Sequence, residues 1–138
     1  MVQGKPATDA TIAANRRVLE ELDFTDTSSF NDAQRGFIAT IDPIRIAHDK
    51  ADRSVFDLTA TEFLEDQAPD TVNPSLWRQA QLNAQHHGLF EVVEGIYQVR
   101  SFDIANMTLI RGNTGWIVID PLTSSETSSA ALTLANKH

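Results

Sequence analysis

Apolar and polar positions along this chain change rhythm near Gly88. Upstream, Ile12, Val18, Leu19 and Leu22 recur at near-helical spacing while Arg16 and Arg17 face outward, and Thr8 or Asp9 stands where a helix cap belongs. A second helical piece, NDAQRGFIAT, starts from Asn31 or Asp32 and is interrupted by Gly36. From Ile41 to Pro74 the text is mostly connector, with a short strand over Val55 to Leu58 and a short helix over Thr59 to Leu64, capped by Thr59 with Glu62 three residues on. Asn73-Pro74 then predicts a helix start, asparagine as cap and proline in the first turn. That helix carries Leu76, Trp77 and Leu82 and ends near Gly88.

Downstream of Gly88 the pattern turns to strands: Leu89 to Val93, Ile96 to Arg100, Asn106 to Arg111 and Trp116 to Ile119, with turns at Glu94-Gly95 and Gly112 to Gly115. The four residues from Trp116 to Ile119 are continuously apolar, which predicts a strand buried on both faces. Thr123 opens a last helix, with Glu126 three residues on in a capping box, and apolar spacing continues almost to His138. Four strands and one helix do not close a sheet that wants cover on both faces, so the reading is an α/β front portion of a larger protein.

Composition narrows the function classes. With 138 residues and 41% hydrophobic content the chain can bury one modest core. A net charge of -8 argues against nucleic-acid backbones and anionic lipid as partners, because both carry the same sign. There is no cysteine, hence no disulfide, thiolate nucleophile or cysteine-based zinc site. No apolar run approaches a membrane span, and the start lacks the apolar core of a secretory signal. Compartment therefore stays open: periplasmic or secreted if a signal has been removed, cytoplasmic otherwise.

Candidate chemistry is sparse. The histidines are His48, His86, His87 and His138, and none has a second histidine at the spacing that puts two ligands on one face; adjacent His86 and His87 diverge. There is no G-x-S-x-G and no phosphate-binding glycine loop. Ser124, Ser125, Ser128 and Ser129 surround a helix start, where hydroxyls satisfy free backbone N–H groups. Glu62, Glu65 and Asp66 read as a solvated acidic face. Asp120 stands out because it ends an apolar strand where α/β folds gather their sites. Its local role would be to accept hydrogen bonds from the N–H groups of the turn from Leu122 to Ser124.

The stretch GIYQVRSFDIANMTLIRGNTGWIVIDPLTSSET resembles the opening strands of the metallo-β-lactamase fold, in which a strand ends in an Ile-Asp pair before a helix. Within that superfamily, NPSLWRQAQLN and GLFEVVEGIYQVRSFDIANMTLIRGNTGWIVIDPL are similar to the linear alkyl sulfatases, and DAQRGFIA and VFDL fit the same family's N-terminal extension. The resemblance runs from about Asp32 onward. It implies an incomplete αββα sandwich: residues 1–88 as a helical and irregular extension, and residues 89–138 as the opening strands and first helix of a metallo-β-lactamase-like domain.

The function so implied is zinc-dependent hydrolysis of alkyl sulfate esters, such as dodecyl sulfate, to alcohol and sulfate. The family's H-x-H-x-D-H zinc signature lies in the strand after the helix that starts at Thr123, so neither of the family's two zinc ions is expected on these residues, and the chain alone is expected to be inactive. Asp120 is then expected to steady the metal-binding loop. Phe102, Ile104, Asn106 and Met107 are candidates for the substrate mouth; alternatively Ile104 and Met107 pack in the core and Asn106 stabilises the turn. The implied partners are the remainder of the catalytic domain, the alkyl sulfate and, for the full-length protein, a second copy in a homodimer. The competing readings are a truncated, non-catalytic interaction or structural module and another hydrolase of the superfamily.

Overall fold

The computed structural model describes residues 4–42, 44–65 and 67–138. Asp66 of the acidic face lies outside them. Helix α1 (Asp9–Glu21) starts at Thr8, whose hydroxyl accepts the Thr11 N–H. Helix α2 (Ser28–Gln34) begins three residues before the predicted cap. Its expected continuation through Phe37 is instead strand β1 (Phe37–Ala39), because Gly36 takes a left-handed φ of +72° that ends the helix and turns the chain into the sheet. Strands β2 (Arg45–Ala47) and β3 (Ser54–Asp57) form a hairpin of their own, and β2 had no pattern long enough to announce it. A 3-10 helix follows (Leu58–Glu65), its first turn held by Asp57 rather than by Thr59, since the Asp57 carboxylate accepts both the N–H and the hydroxyl of Thr59. Helix α3 (Pro74–Gln85) starts at Asn73, whose side chain accepts the Ser75 N–H.

Strands β4 (Gly88–Val93), β5 (Ile96–Arg100), β6 (Met107–Arg111) and β7 (Trp116–Ile119) form an antiparallel meander, and β1 pairs with β4 to complete a five-stranded sheet in the order β1-β4-β5-β6-β7. Helix α4 (Ser125–Lys137) covers one face. There Leu89, Val99, Met107 and Leu109 pack with Ala131, Leu134 and Ala135 of α4 and with Ile44 and Ile46 of the small hairpin. On the opposite face, buried Phe90 lies under the Arg100 guanidinium at 4.4 Å and edge-on to Phe37 at 5.4 Å. Gly88 thus marks a change of pattern in the sequence, with residues from both sides of it in one sheet and one core.

Strand β7 corrects one expectation. It is not buried on both faces: Ile117, Val118 and Ile119 are 58%, 39% and 52% exposed. The strand sits at the edge of the sheet with β6 as its strand neighbour, and α4 anchors Trp116, whose indole N–H donates to Asn136 at 3.0 Å. Continuous apolar text therefore meets solvent here among the described residues. The last helix is also capped one residue later than expected. Ser124 is the cap and Thr127 closes the box, while Glu126 points elsewhere.

Candidate functional site

Because β5 and β7 are both antiparallel to β6, they run in the same direction and end at the same edge of the sheet. At that edge the backbone is strained. Ser101 follows β5 with a φ of +58°, Asp120 follows β7 with +54°, and Leu122 lies two residues on with +71°; these are the non-glycine residues in the left-handed region among those described. Each such residue costs on the order of 1–3 kcal/mol and persists only where its surroundings hold it, a condition that recurs at functional sites.

What holds this edge is Asp103. It is 7% exposed, and both carboxylate oxygens are occupied. Oδ1 accepts the N–H groups of Ile104, at 2.5 Å, and Ala105, which closes its own turn. Oδ2 accepts the Thr123 N–H at 2.8 Å, the Thr123 hydroxyl and the Thr127 hydroxyl at 3.1 Å. One carboxylate thereby joins the β5–β6 loop to the first turn of α4. Burial pushes the carboxyl up, but the donors from Thr123, Thr127 and Ile104 together outweigh it and hold it below the ordinary carboxylate value. With its lone pairs so engaged, Asp103 is a positioning group rather than a base or a metal ligand. Two further bonds fix the edge: the Ser101 hydroxyl donates to Asn83 O at 2.7 Å, and the Ser128 hydroxyl donates to Pro121 O.

The sequence-derived candidates separate around this anchor. Phe102 and Met107 are fully buried in the core. Ile104 is 93% exposed at the loop tip, and Asn106 is exposed beside it. The loop therefore presents one apolar and one polar side chain to solvent while its two ends are pinned inside. Asp120 is exposed and accepts no hydrogen bond among the described residues. The local role expected of it, bonding the N–H groups of the following turn, is divided. The Thr123 N–H goes to Asp103, because the left-handed backbone at Asp120 and Leu122 brings Thr123 back over the β5–β6 loop, and the Ser124 N–H goes to the Thr127 hydroxyl. The anchoring role of Asp103 had no local signal: the partners that tie it to α4, Thr123 and Thr127, lie 20 and 24 residues away, and only the Ser124–Thr127 box hinted that Thr127 is turned inward.

His48 and His87 are held by hydrogen bonds. His48 Nδ1 accepts the Lys50 N–H at 2.9 Å, and a nitrogen so engaged cannot also donate to Glu126 Oε1, 3.8 Å away. Glu126 Oε1 accepts the Asp49 N–H at 3.3 Å instead. The Glu126 carboxyl is lowered to about 2, chiefly by its own backbone N–H, then by the Asp49 N–H and the Ser125 hydroxyl. His87 Nδ1 bonds the Thr40 hydroxyl at 2.8 Å. Burial lowers both His87 and His86, partly countered at His87 by Asp42 and reinforced at His86 by Arg100, which favours neutral rings. Among the described residues no three His, Asp or Glu side chains gather as a metal ion requires. The zinc implied by the resemblance therefore finds no ligand set among the described residues.

No family model matches the chain. Individual relatives do. It is 50% identical over 136 residues to a linear primary-alkylsulfatase of Pseudomonas sp, covering 97% of this chain and 20% of that protein. It is 48% identical over 139 residues to an (R)-specific secondary-alkylsulfatase of Pseudomonas sp, covering 99% and 20%. It is 44% identical over 135 residues to the alkyl/aryl-sulfatase BDS1 of Saccharomyces cerevisiae, covering 97% and 21%. The structure of the stereoselective inverting sec-alkylsulfatase Pisa1 from Pseudomonas sp. superposes with a TM-score of 0.85 at 47% identity, covering 100% of this chain and 22% of Pisa1. The chain thus spans about a fifth of the length of the curated relatives it matches.

Proposed function

We propose that this chain, homologous along its length to the N-terminal fifth of the alkylsulfatases, is the corresponding portion of an enzyme that hydrolyses alkyl sulfate esters to alcohol and sulfate. The observation that carries the reading is near-complete coverage of this chain at close to half identity, joined to a TM-score of 0.85. In this reading the sheet with α4 on one face is the first half of a metallo-β-lactamase-type αββα sandwich. Residues outside these 138 hold the zinc ions and complete the fold. The loop tip at Ile104 and Asn106 borders the mouth for the alkyl chain, and Asp103 positions that loop against α4. Asp120, exposed beyond β7, steadies whatever segment packs on the edge. Full-length copies pair as a homodimer.

The edge itself supports a partner of this kind. Three apolar residues of β7 stand in solvent beside a row of strand N–H and C=O groups that β6 does not use, a combination that favours further pairing. The test is sulfate release from dodecyl sulfate with added zinc, measured on the 138-residue chain alone and on a chimera in which it replaces the matching fifth of the Pseudomonas linear primary-alkylsulfatase. Turnover by the chimera and none by the chain alone is expected. Turnover by the chain alone, after removal of contaminating enzyme, or a folded chimera without activity would refute the assignment.

A further inference from the structure

A cleft of about 600 Å³ opens where the 3-10 helix and α3 meet the start of β2. It shares no lining residue with the sheet edge described above. Its floor is apolar: Ile44 and Leu64 are buried there, with Ala84 of α3 beside them. Its rim is acidic: Asp42, Glu62 and Glu65 contribute carboxylates, and no lysine or arginine lines it. None of the three is in an ion pair among the described residues, and nearby Arg45 is committed to Asp57 at 3.0 Å and to Thr59 at 3.2 Å. His87, the one other titratable group facing the space, bonds Thr40; burial lowers its pKa, partly countered by Asp42.

Concave, apolar-floored space of this size is the ordinary form of a small-molecule site, with a few polar groups at the rim choosing the ligand. Here the rim is of one sign and unneutralised. It repels alkyl sulfates and favours the opposite pairing of tail and head. We propose that the cleft binds a primary alkylammonium ion, its short tail against Ile44, Leu64 and Ala84 and its ammonium among Asp42, Glu62 and Glu65. Binding here is independent of the hydrolysis proposed above, because no residue is common to the two.

The test is a backbone-amide NMR titration of the 138-residue chain with hexylammonium, hexyl sulfate and hexanol, which share a tail and differ in head group. Saturable shifts confined to Leu64, Ala84, His87 and their neighbours are expected with hexylammonium. Hexyl sulfate should bind at least about five-fold more weakly, the preference that a pair of partly solvated charges supplies. The double variant Glu62→Gln with Glu65→Gln, both exposed and so without effect on the fold, should bring the two affinities within about two-fold of each other. No saturable shift in the cleft, equal binding of the two ions, or a preference that survives the double variant overturns the proposal. So does binding of a lysine-bearing peptide in the cleft without binding of hexylammonium, which would make it a polypeptide contact instead.

Discussion

Replacing Asp103 by alanine should destabilise the chain by about 3 kcal/mol, and the figure can be built from its contacts. Five donors converge on this carboxylate, and hydrogen bonds to a charged group contribute about 1.5–3 kcal/mol each before compensation. Not all of that is lost. The N–H groups of Ile104 and Ala105 lie at an exposed loop tip, and Thr123 is exposed, so water can replace part of what alanine removes. Thr127 is 2% exposed and has no such recourse, and its hydroxyl must then rely on Ser124 alone. Removing a buried charge also returns some desolvation free energy, leaving roughly two charge-assisted bonds' worth of loss, or about 3 kcal/mol. In urea, with a slope of about 1.5 kcal/mol per M, the midpoint should fall by about 2 M at unchanged slope. A double-mutant cycle with Thr127→Val should return a coupling of about 1–2 kcal/mol. Acid supplies the independent check. The folded carboxyl lies below its unfolded value, so the unfolded chain binds more protons and this stabilisation is complete only above the ordinary carboxylate range, fading as pH falls through it. Asp103→Asn should flatten that part of the acid limb. A loss below about 1 kcal/mol for the alanine variant, with no coupling to Thr127, would refute the claim that this carboxylate holds the edge.

Three further outcomes follow from local geometry. Glu126, held at about 2 against an ordinary 4.5, contributes stability above pH 4.5 that is lost as the pH falls toward 2; Glu126→Gln should shrink that dependence and speed hydrogen exchange at the Asp49 amide, and an unchanged acid limb would count against the contact. Gly88 has a φ of +123°, and a Cβ there would stand 2.3 Å from Ala39 O, so Gly88→Ala should cost at least about 2 kcal/mol and disturb the β1–β4 pairing, as followed by thermal unfolding and amide shifts. Asn73→Ala removes the acceptor for the Ser75 N–H and should cost about 1 kcal/mol by the same unfolding assay, with Asn73→Asp restoring most of it.

Where the chain's local signals agree with its long-range contacts, the sequence was readable. Thr8 and Asn73 cap helices at the expected places, and the meander from Gly88 to Ile119 follows its turns at Gly95 and Gly112 to Gly115 closely. Two kinds of feature were not readable. Three-residue strands such as β1 and β2 have too few positions for an alternation, and β1 exists because Phe37 and Ala39 pair with β4, some fifty residues away. The other kind is the anchor of the site. An aspartate after a strand looks the same whether its carboxylate faces solvent, as at Asp120, or is buried, as at Asp103. The Ile-Asp pair drew attention to the exposed one. What distinguishes them is that Thr123 and Thr127 fold back over the β5–β6 loop, a contact that depends on the left-handed backbone at Asp120 and Leu122.

That dependence suggests how the edge works as a unit. Left-handed conformations at Asp120 and Leu122 are unfavourable for residues with side chains, so the turn must be secured from outside, and it is secured by two bonds: Thr123 donates to Asp103 and Ser128 donates to Pro121 O. The same bonds fix the direction in which α4 leaves the sheet. They leave Asp120, Ile104 and Asn106 facing outward on loops whose backbones are already determined. Meanwhile β7 presents Ile117, Val118 and Ile119 beside an unused row of backbone groups. Ordered loops with exposed tips next to an apolar edge strand, paired with β6 on one side only, are what a pre-organised docking edge requires: the ordering entropy of the loops has been met within this chain, and burial of the apolar area of β7 would be favourable. The proposed place of the chain in an alkylsulfatase rests on homology, and this edge gives a physical reason for these residues to hold and present.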